Sequence, residues 1–465
     1  MKNHRTMRLS QRFCLLLSMV FSLTASAKEA GAETKPNVLM ICLDDLNDWV
    51  GFLGGHPDVK TPHMDRLAKR SCNFTNAHCV VPVCSCSRVS IMSGLHATTH
   101  GSYEFGPSYQ SIPALQGIPS LQSWFKKNGY RTYTGGKVLH HGFKGSLKGA
   151  IDVDLGRSGG PRRKSNVNWP GGAWDWGAFP ESDEQMQDFQ LAQKTAAVLK
   201  EKHDKPFFIS AGIFRPHVPL LVPQKWFDIY DRKTITMPRA PRSDLDDLPP
   251  NLRGKINVEP THDEVLKNKS WRGMVHAYLA SISFADHCVG TILDGLESGP
   301  HRNNTIVILW SDHGFHLGEK HQWAKRTLWE ESTRVPFLIS APGMKTGTQC
   351  PEAVSLLDIY PTLIELCDLP KNEKLDGLSI VPQLNNPTAP RQQPVITSSF
   401  RGNHSIRTRE WRLIQYADGA RELYDHRKDA DEFTNLAGDP AYEETWKSLS
   451  KWLPKAPAPE VRKKR

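Results

Sequence analysis

The stretch Asn37-Val38-Leu39-Met40-Ile41-Cys42-Leu43-Asp44-Asp45 decides the fold. Every residue from Val38 to Leu43 is apolar, and the run has the length of a strand rather than a helix. Such a run fits a strand that is covered on both faces, as in a parallel sheet. Asp44 and Asp45 follow it directly, so they fall at the carboxyl end of a strand, where open α/β sheets bind their ligands.

Strand and helix patterns alternate outward from this run, over residues 36–370. The predicted strands span 130–135, 206–211, 305–310 and 335–339. The predicted helices span 61–68, 87–94, 120–128, 184–200, 274–296 and 356–366, with Thr61 as the N-cap of the first. This alternation predicts an α/β fold with a mostly parallel central sheet sandwiched by helices.

The pattern changes near residue 375. Strand-like runs at 394–400, 405–407, 411–416 and 422–424 precede a helical stretch at 442–453. We therefore predict a catalytic domain at residues 28–374 and a smaller C-terminal α+β subdomain with an antiparallel sheet and a basic tail at 375–465. Residues 143–180, rich in Gly, Pro and Trp, predict a long active-site loop.

Residues 1–27 have the pattern of a cleavable signal peptide. Basic residues come first, an apolar core spans 13–23, and Ala25-Ser26-Ala27 is a small-residue cleavage site. The apolar core is too short for a comfortable membrane span, and no other stretch approaches about 18 continuous apolar residues. We therefore expect a secreted or periplasmic protein without stable membrane insertion.

Composition narrows the possible partners. Lys and Arg exceed Asp and Glu by 59 to 49, partly because of the leader and of Arg462-Lys463-Lys464-Arg465. The chain lacks the regular basic and aromatic pattern of nucleic-acid binding, so we expect no nucleic-acid partner. Eight cysteines follow Cys14 at irregular spacings, which leaves disulfides open, and the oligomeric state is open as well.

Polar residues follow several of the predicted strands: Asp44, Asp45, Lys137, His217 and Asp312. Because the carboxyl ends of parallel strands meet at one edge of the sheet, we expect them to converge. Carboxylates in such numbers suit a hard divalent cation. Asp44 and Asp45 would point to opposite sides of a continuing strand, so a tight turn must follow Asp44. Each acidic pair alone also fits a helix cap or a surface loop.

A second motif, Cys84-Ser85-Cys86-Ser87-Arg88, lies where a loop turns into a helix. Free N–H groups at a helix start favour an anion, and Arg88 lies one turn after Cys84 on the same face. On spacing alone, a buried cysteine beside a solvated arginine is the simpler interpretation. Gly136-Lys137-Val138-Leu139-His140 and Lys325 add further groups able to bind an anion.

Taken in chain order, these motifs resemble those of the type I sulfatases of the alkaline phosphatase superfamily, over roughly residues 36–430. The matching segments are Leu43-Asp44-Asp45, Cys84 to Arg88, Gly136 to His140, Ser311-Asp312-His313-Gly314 and Glu331-Ser332-Thr333-Arg334-Val335-Pro336. Asp312-His313, Trp323-Ala324-Lys325 and Pro216-His217-Val218-Pro219 are most similar to the iduronate-2-sulfatases.

The resemblance implies an exported sulfatase that hydrolyses an O-sulfate ester of a carbohydrate of the iduronate-2-sulfate type, as in glycosaminoglycan degradation. A maturation enzyme would convert Cys84 to formylglycine, whose hydrate is the nucleophile. One Ca²⁺ would be bound by residue 84 with Asp44, Asp45, Asp312 and His313. Lys137, His140 and Lys325 would hold the sulfate, Arg88 would hydrogen-bond the hydrate, and His217 would protonate the leaving alcohol.

One position departs from the family's maturation signal, which normally carries Pro or Ala where this chain has Cys86. Other functions stay open: a choline-sulfatase, a phosphodiesterase or phosphonate hydrolase of the same superfamily, or an inactive relative that binds sulfated glycans. His96, His100 and Tyr103 either line the substrate cleft or belong to a surface loop. The sequence does not define the sugar or the sulfate position.

Overall fold

The computed structural model describes residues 35–106, 108–140, 147, 149–169, 174–249, 252 and 260–462. The predicted signal peptide at residues 1–27 and the end of the basic tail at 463–465 lie outside these residues. Within them, no helix combines the length and the apolar character needed to cross a membrane.

The strands, in chain order, are β1 (Asn37–Asp44), β2 (Cys72–Phe74), β3 (Ala77–His78), β4 (Arg131–Gly136), β5 (Val153–Gly156), β6 (Trp176–Ala178), β7 (Phe207–Pro216), β8 (Leu220–Val222), β9 (Thr305–Ser311), β10 (His316–Leu317), β11 (Trp323–Ala324), β12 (Phe337–Ser340), β13 (Thr348–Cys350), β14 (Val354–Ser355), β15 (Val395–Ser398), β16 (His404–Arg407), β17 (Trp411–Gln415) and β18 (Arg421–Asp425).

The α-helices are α1 (Pro62–Ala68), α2 (Cys84–Ser93), α3 (Ala97–His100), α4 (Leu121–Lys127), α5 (Gln187–Lys200), α6 (Gln224–Asp228), α7 (His262–Lys267), α8 (Trp271–Glu297), α9 (Glu330–Thr333), α10 (Ile359–Leu366), α11 (Val381–Asn385) and α12 (Glu443–Ser450). Short 3₁₀ turns span Tyr109–Ser111, Pro113–Leu115, Asp183–Gln185, Glu319–His321, Leu356–Asp358 and Pro440–Tyr442.

The central sheet has the strand order β13-β2-β12-β9-β1-β7-β4-β5. β1 lies between β7 and β9 and is parallel to both, and β4 is parallel to β7 and β5. Only β12, among the described strands of this sheet, runs antiparallel to its neighbours β9 and β2. The predicted mostly parallel α/β sheet is therefore confirmed.

Both faces of β1 are covered, as its apolar run predicts. Leu39, Ile41 and Leu43 belong to a core with side chains of α1, α5 and α8. Val38, Met40 and Cys42 pack into a second core with α2, α4 and α10. Each fully buried side chain of this kind contributes about 1.5–3 kcal/mol, so the alternation fixes the strand between two helical layers.

Three local predictions need correction. The second helix begins at Cys84 itself, not near Ser87. Thr61 lies at the N-cap of α1 but makes no capping hydrogen bond, because its Oγ1 accepts from Gly51 N at 2.8 Å and donates to Asp65. Residues 143–180 are no continuous loop, since β5 extends the central sheet beside β4 and β6 pairs with β8; residues 143–146, 148 and 170–173 lie outside the described residues.

The C-terminal strands form a separate antiparallel sheet in the order β15-β16-β17-β18, followed by α12. The sheet is joined to the segment that precedes α2. Thr397 Oγ1 donates to the Cys79 carbonyl at 2.6 Å, and Ser398 N donates to the Val80 carbonyl at 2.9 Å. The antiparallel C-terminal unit is as expected, whereas the boundary at residue 374 stays a prediction.

Candidate active site

The carboxyl ends of four neighbouring strands carry the predicted residues. Asp44 is the last residue of β1, Lys137 follows β4, His217 follows β7 and Asp312 follows β9. Asp45 has a φ of 63°, so the chain turns sharply after Asp44, as the sequence required. Because the turn replaces the strand alternation, both carboxylates lie in the same buried centre.

Lys137 is placed by a close approach between β4 and β7. Gly136, with a φ of 69°, lies opposite Gly212, and a Cβ on Gly136 would lie 2.1 Å from the Gly212 carbonyl oxygen. Lys137 N donates to that carbonyl at 2.9 Å. The Lys137 ammonium consequently forms an ion pair with Asp44.

Cys84 is the first residue of α2, a helix whose ten residues are all buried. Val83 precedes it in an extended conformation and provides no side-chain cap, so the helix start offers its N–H groups to the centre. Cys84 Sγ lies 3.2 Å from His140 Nδ1. Ser87 Oγ donates to the Asp312 carbonyl at 2.6 Å, which fixes the helix against the end of β9.

Arg88 is fully buried, so the interpretation as a solvated arginine is wrong. Its Nε donates to Asp312 Oδ2 at 2.7 Å, and its Nη2 lies 3.6 Å from Asp44 Oδ1. It also donates to the backbone carbonyls of Leu43 and Lys137. Burial opposes its charge, but Asp312 and Asp44 raise its pKa further above the ordinary arginine range. Arg88 thus organises the acidic groups of the centre.

Several buried ligand atoms in the centre make no hydrogen bond to any described residue. They are both carboxylate oxygens of Asp44, Asp45 Oδ2 and His313 Nε2. Ligand atoms of Asp44, Cys84, Asp312 and His313 lie within 4.8 Å of one another, and those of Asp44, Asp45 and His217 form a second such group. Lys137 and Arg88 pair with Asp44 and Lys325 pairs with Asp45, but these buried oxygens still lack hydrogen bonds, and a hard divalent cation is a group they fit.

The orientation of His313 agrees with this interpretation. Its Nδ1 lies 2.9 Å from the Gly314 carbonyl and therefore carries the proton. The lone pair of Nε2 then faces Asp45 Oδ1 at 3.4 Å and Asp312 Oδ1 at 3.6 Å. An imidazole nitrogen and two carboxylate oxygens at these distances suit a bound cation; burial lowers the pKa of His313, but Asp312 and Asp45 raise it overall.

Basic groups surround the carboxylates. Burial alone would raise the pKa of Asp44, but Lys137, His217, Arg88 and Lys325 hold it well below its usual range. Lys325 Nζ lies 2.5 Å from Asp45 Oδ1; although burial opposes its charge, Asp45 raises its pKa. Lys325 therefore stays charged, in a site that could receive an anionic ester.

The two further histidines are neutral at pH 7. Burial, together with Lys137, lowers the pKa of His140 to about 4. Burial lowers the pKa of His217 to about 3, with an opposing contribution from Asp45. His217 Nδ1 lies 2.6 Å from the Val218 carbonyl, so Nε2 is the acceptor atom and faces Asp45 Oδ2 at 3.7 Å. Neutral imidazoles suit proton acceptance.

The structure thus brings together every predicted site residue: Asp44, Asp45, Cys84, Arg88, Lys137, His140, His217, Asp312, His313 and Lys325. Their individual roles as ligands and catalysts stay predictions. His96, His100 and Tyr103 are buried, and His100 Nε2 lies 2.9 Å from Ser90 Oγ. Their burial rules out a plain surface loop, whereas a place beside the substrate cleft stays a prediction.

Two residues beside the centre, Phe105 and Arg326, were not predicted from the sequence. The Phe105 ring centroid lies 5.6 Å from that of His140, and the Arg326 guanidinium carbon lies 5.1 Å from the Phe105 centroid. Arg326 directly follows Lys325, and that second positive charge was the signal available in the sequence. Phe105 gave no signal, because no motif includes it.

Comparisons with known proteins agree with this geometry. The Sulfatase family matches residues 36–369, and the N-sulphoglucosamine sulphohydrolase C-terminal family matches residues 318–458. A sulfatase of Formosa agariphila is 36% identical over 472 residues, which cover 96% of this chain and 92% of that protein.

The names of more distant relatives state their substrates. The choline-sulfatase of Rhizobium meliloti is 29% identical, over 87% of this chain and 83% of its own length. The iduronate 2-sulfatase of Mus musculus is also 29% identical, over 77% and 73%. A solved 2-O GAG sulfatase shares the fold, with a TM-score of 0.72 at 22% identity over 90% of this chain and 91% of that one. The chain therefore belongs to the sulfatase family and is a sulfuric ester hydrolase that cleaves sulfate esters.

Proposed function

We propose that this sulfatase is exported and removes an O-sulfate group from a carbohydrate of the iduronate-2-sulfate type, with formylglycine at position 84 and one Ca²⁺. The observation that carries the proposal is the group of ligand atoms of Cys84, Asp44, Asp312 and His313 within 4.8 Å. The iduronate 2-sulfatase among the relatives supports the substrate class.

The residues present fit both groups. Asp44, Asp45, Asp312 and His313 would hold Ca²⁺ together with residue 84, and Cys84 Sγ marks the position of the formylglycine hydrate. When bound, the cation lowers the pKa of the hydrate and neutralises charge on a sulfate oxygen. Arg88 keeps Asp44 and Asp312 in place for it through the contacts described above.

The chain's own residues bind the ester and move protons. Lys137 and Lys325 offset the negative charge of the sulfate as it develops in the transition state. His140, neutral and adjacent to residue 84, accepts a proton there. His217 protonates the leaving alcohol only after its Nε2 has taken up a proton, because that nitrogen is the acceptor atom in the structure.

The rival functions differ in what they require. A choline-sulfatase needs an aromatic and acidic cage for a quaternary ammonium, whereas the guanidinium of Arg326 lies over Phe105, with Glu104 Oε2 3.8 Å away from it. An inactive glycan binder does not need the complete set of basic and acidic residues. A phosphodiesterase or phosphonate hydrolase is separated by parallel turnover of sulfate monoesters, phosphate monoesters and phosphate diesters.

The test combines mass spectrometry with sulfate release. We expect the Cys84 peptide of protein from its native host to show the mass loss of thiol-to-aldehyde conversion. We also expect sulfate release from sulfated disaccharides that EDTA suppresses and Ca²⁺ restores. Cys84→Ala is the matched inactive control. An unmodified Cys84, or a modified enzyme that releases no sulfate from any saccharide, would refute the proposal.

A further inference from the structure

We infer that Phe105 and Arg326 form a substrate subsite that binds an acidic group of the sugar other than the sulfate that is removed. This inference rests on the proposed function and specifies its substrate class: a sulfated saccharide that also carries a carboxylate or a second sulfate.

Phe105 lies at the open side of the reaction centre. Its ring is next to that of His140, whose Nδ1 lies 3.2 Å from Cys84 Sγ. The residue is 44% exposed, whereas Cys84 and Arg88 are fully buried. Only the His140 ring separates this exposed aromatic side chain from the nucleophile position. The C–H face of a sugar ring can therefore pack against Phe105 and lose its water there.

Arg326 lies over this ring with unused donors. Its side chain is 34% exposed, and its guanidinium donates no hydrogen bond to any described residue. The nearest acidic atom, Glu104 Oε2, is 3.8 Å from Nη1, which is beyond hydrogen-bond distance. A planar guanidinium with five N–H donors matches the two oxygens of a carboxylate or sulfate.

The backbone of Arg326 is fixed in an uncommon conformation. Its φ is 85°, a region that costs a non-glycine residue about 1–3 kcal/mol and persists only where the surroundings enforce it. Arg326 N donates to the Pro82 carbonyl at 3.2 Å, and its carbonyl accepts from Ser399 Oγ at 2.6 Å. The segment before Cys84 and the turn that follows β15 therefore fix the backbone of Arg326 beside the centre.

The consecutive residues Lys325 and Arg326 would contact different parts of the substrate. Lys325 reaches Asp45 inside the centre, while Arg326 stands outside it above Phe105. An ester bound with its sulfate at Lys325 therefore presents the rest of its sugar to Phe105 and Arg326. A cation at this position favours an acidic sugar and repels a quaternary ammonium.

The experiment uses the full-length enzyme with verified formylglycine and Ca²⁺. Steady-state kinetics are measured on three disaccharides: a 2-sulfated uronate disaccharide, a disulfated one without carboxylate, and a monosulfated neutral one. For Arg326→Gln we expect KM to rise about 10- to 100-fold on the acidic substrate that the wild type prefers, the loss expected for a charged hydrogen bond, with a much smaller rise on the neutral one. Which acidic substrate responds distinguishes carboxylate from second sulfate.

Three further variants separate recognition from folding. Phe105→Leu is expected to raise KM on all three disaccharides, because it removes the ring and no charge. Arg427→Ala removes an arginine that lies over Trp411 in the C-terminal sheet, 5.0 Å from the ring centroid, and should leave all three KM values as in wild type. Arg326→Lys should recover part of the preference for the acidic substrate.

If Arg326→Gln raises KM equally on the acidic and the neutral substrates, the inference is overturned while the proposed function still stands. A wild-type preference for the neutral disaccharide would have the same consequence. If the wild-type enzyme releases no sulfate from any saccharide, the proposed function itself fails and the subsite falls with it.

Discussion

At the scale of single residues, the stability of the centre depends on Arg88. It is the buried arginine between Asp44 and Asp312, which lie at the ends of two neighbouring strands. Arg88→Ala leaves these carboxylates without their guanidinium, and we expect the free energy of unfolding to fall by about 3–5 kcal/mol. Urea unfolding followed by fluorescence, in EDTA and in Ca²⁺, measures the loss.

If Asp44 and Asp312 hold a cation, Ca²⁺ should offset part of this loss, because it supplies positive charge to the same oxygens. Arg427→Ala, an arginine paired with Asp425 and Glu410, is the control and should show neither the loss nor the calcium dependence. A deficit of the same size in EDTA and in Ca²⁺ would argue against a cation between these carboxylates.

Cys86 has a role in the folded protein that is separate from its place in the maturation signal. Its thiol is buried, donates to the Glu104 carbonyl at 2.8 Å and accepts from Ser102 Oγ at 3.4 Å. Cys86→Ala restores a residue that the family's signal accepts but removes these two hydrogen bonds and the contact with Ser85 Oγ at 3.6 Å. We expect a higher fraction of formylglycine by mass spectrometry, together with a loss of about 1–3 kcal/mol in unfolding free energy.

Cys288→Ala, a buried cysteine of α8, is the matched control for thiol removal and should leave the formylglycine fraction as in wild type. An unchanged fraction in Cys86→Ala would show that the maturation enzyme tolerates cysteine at this position.

At the scale of elements, the end of β4 depends on two facing glycines. A Cβ at Gly136 would meet the Gly212 carbonyl at 2.1 Å, in addition to the strain of its positive φ. Gly129 also has a positive φ, of 92°, but a Cβ there would meet nothing within 4 Å. We therefore expect Gly129→Ala to lower the free energy of unfolding by about 1–2 kcal/mol, and Gly136→Ala to lower it clearly more.

Gly136→Ala should also lower kcat, because the displaced backbone carries Lys137 away from Asp44. Chemical unfolding and sulfate release from one disaccharide measure both effects. If both variants lose the same unfolding free energy, the close contact between β4 and β7 does not position Lys137.

Elements and site residues differ in how far the sequence predicts them. The run Val38–Leu43 is apolar at every position because both of its faces are covered, so strand and sheet type follow from it directly. The turn at Asp45 follows as well, since two adjacent carboxylates can share one site only if the strand ends between them.

The contact of Phe105 with Arg326 could not be predicted, because it joins residues far apart in sequence and follows no periodicity. The strands β5 and β6 were missed for a related reason. They are short and lie in a Gly- and Pro-rich segment, so pairing with β4 and β8 decides their conformation rather than local preference.

At the scale of the whole molecule, a buried network of charges joins the C-terminal sheet to the catalytic part. Glu330 of α9 pairs with Arg407 and Arg412, and Glu432 pairs with Arg412 and with His426 Nε2 at 2.9 Å. Arg412 is fully buried between the two acids. The turn that follows β15 also contacts Arg326 through Ser399, so we expect the attachment of this sheet to affect the proposed subsite.

This network makes a prediction about acid stability. Burial would raise the pKa of Glu432, but Arg412 and His426 hold it below its ordinary value. Its contribution to stability is therefore present above the unfolded pKa of about 4.3 and is lost as the pH falls through the folded value. At pH 7 the free energy of unfolding of Glu432→Gln should be about 3–5 kcal/mol lower than that of wild type. This difference should disappear below about pH 4.

The adjacent Glu331 should behave in the opposite way. Burial, Glu319 and Glu432 raise its pKa, and its Oε2 has no hydrogen-bond partner among the described residues. Its charged form is disfavoured in the fold, so Glu331→Gln should gain stability over wild type as the pH rises above about 4.3. Urea unfolding from pH 4 to pH 8 tests both variants, and gaps that do not change with pH would show that neither carboxylate carries the charge assigned to it.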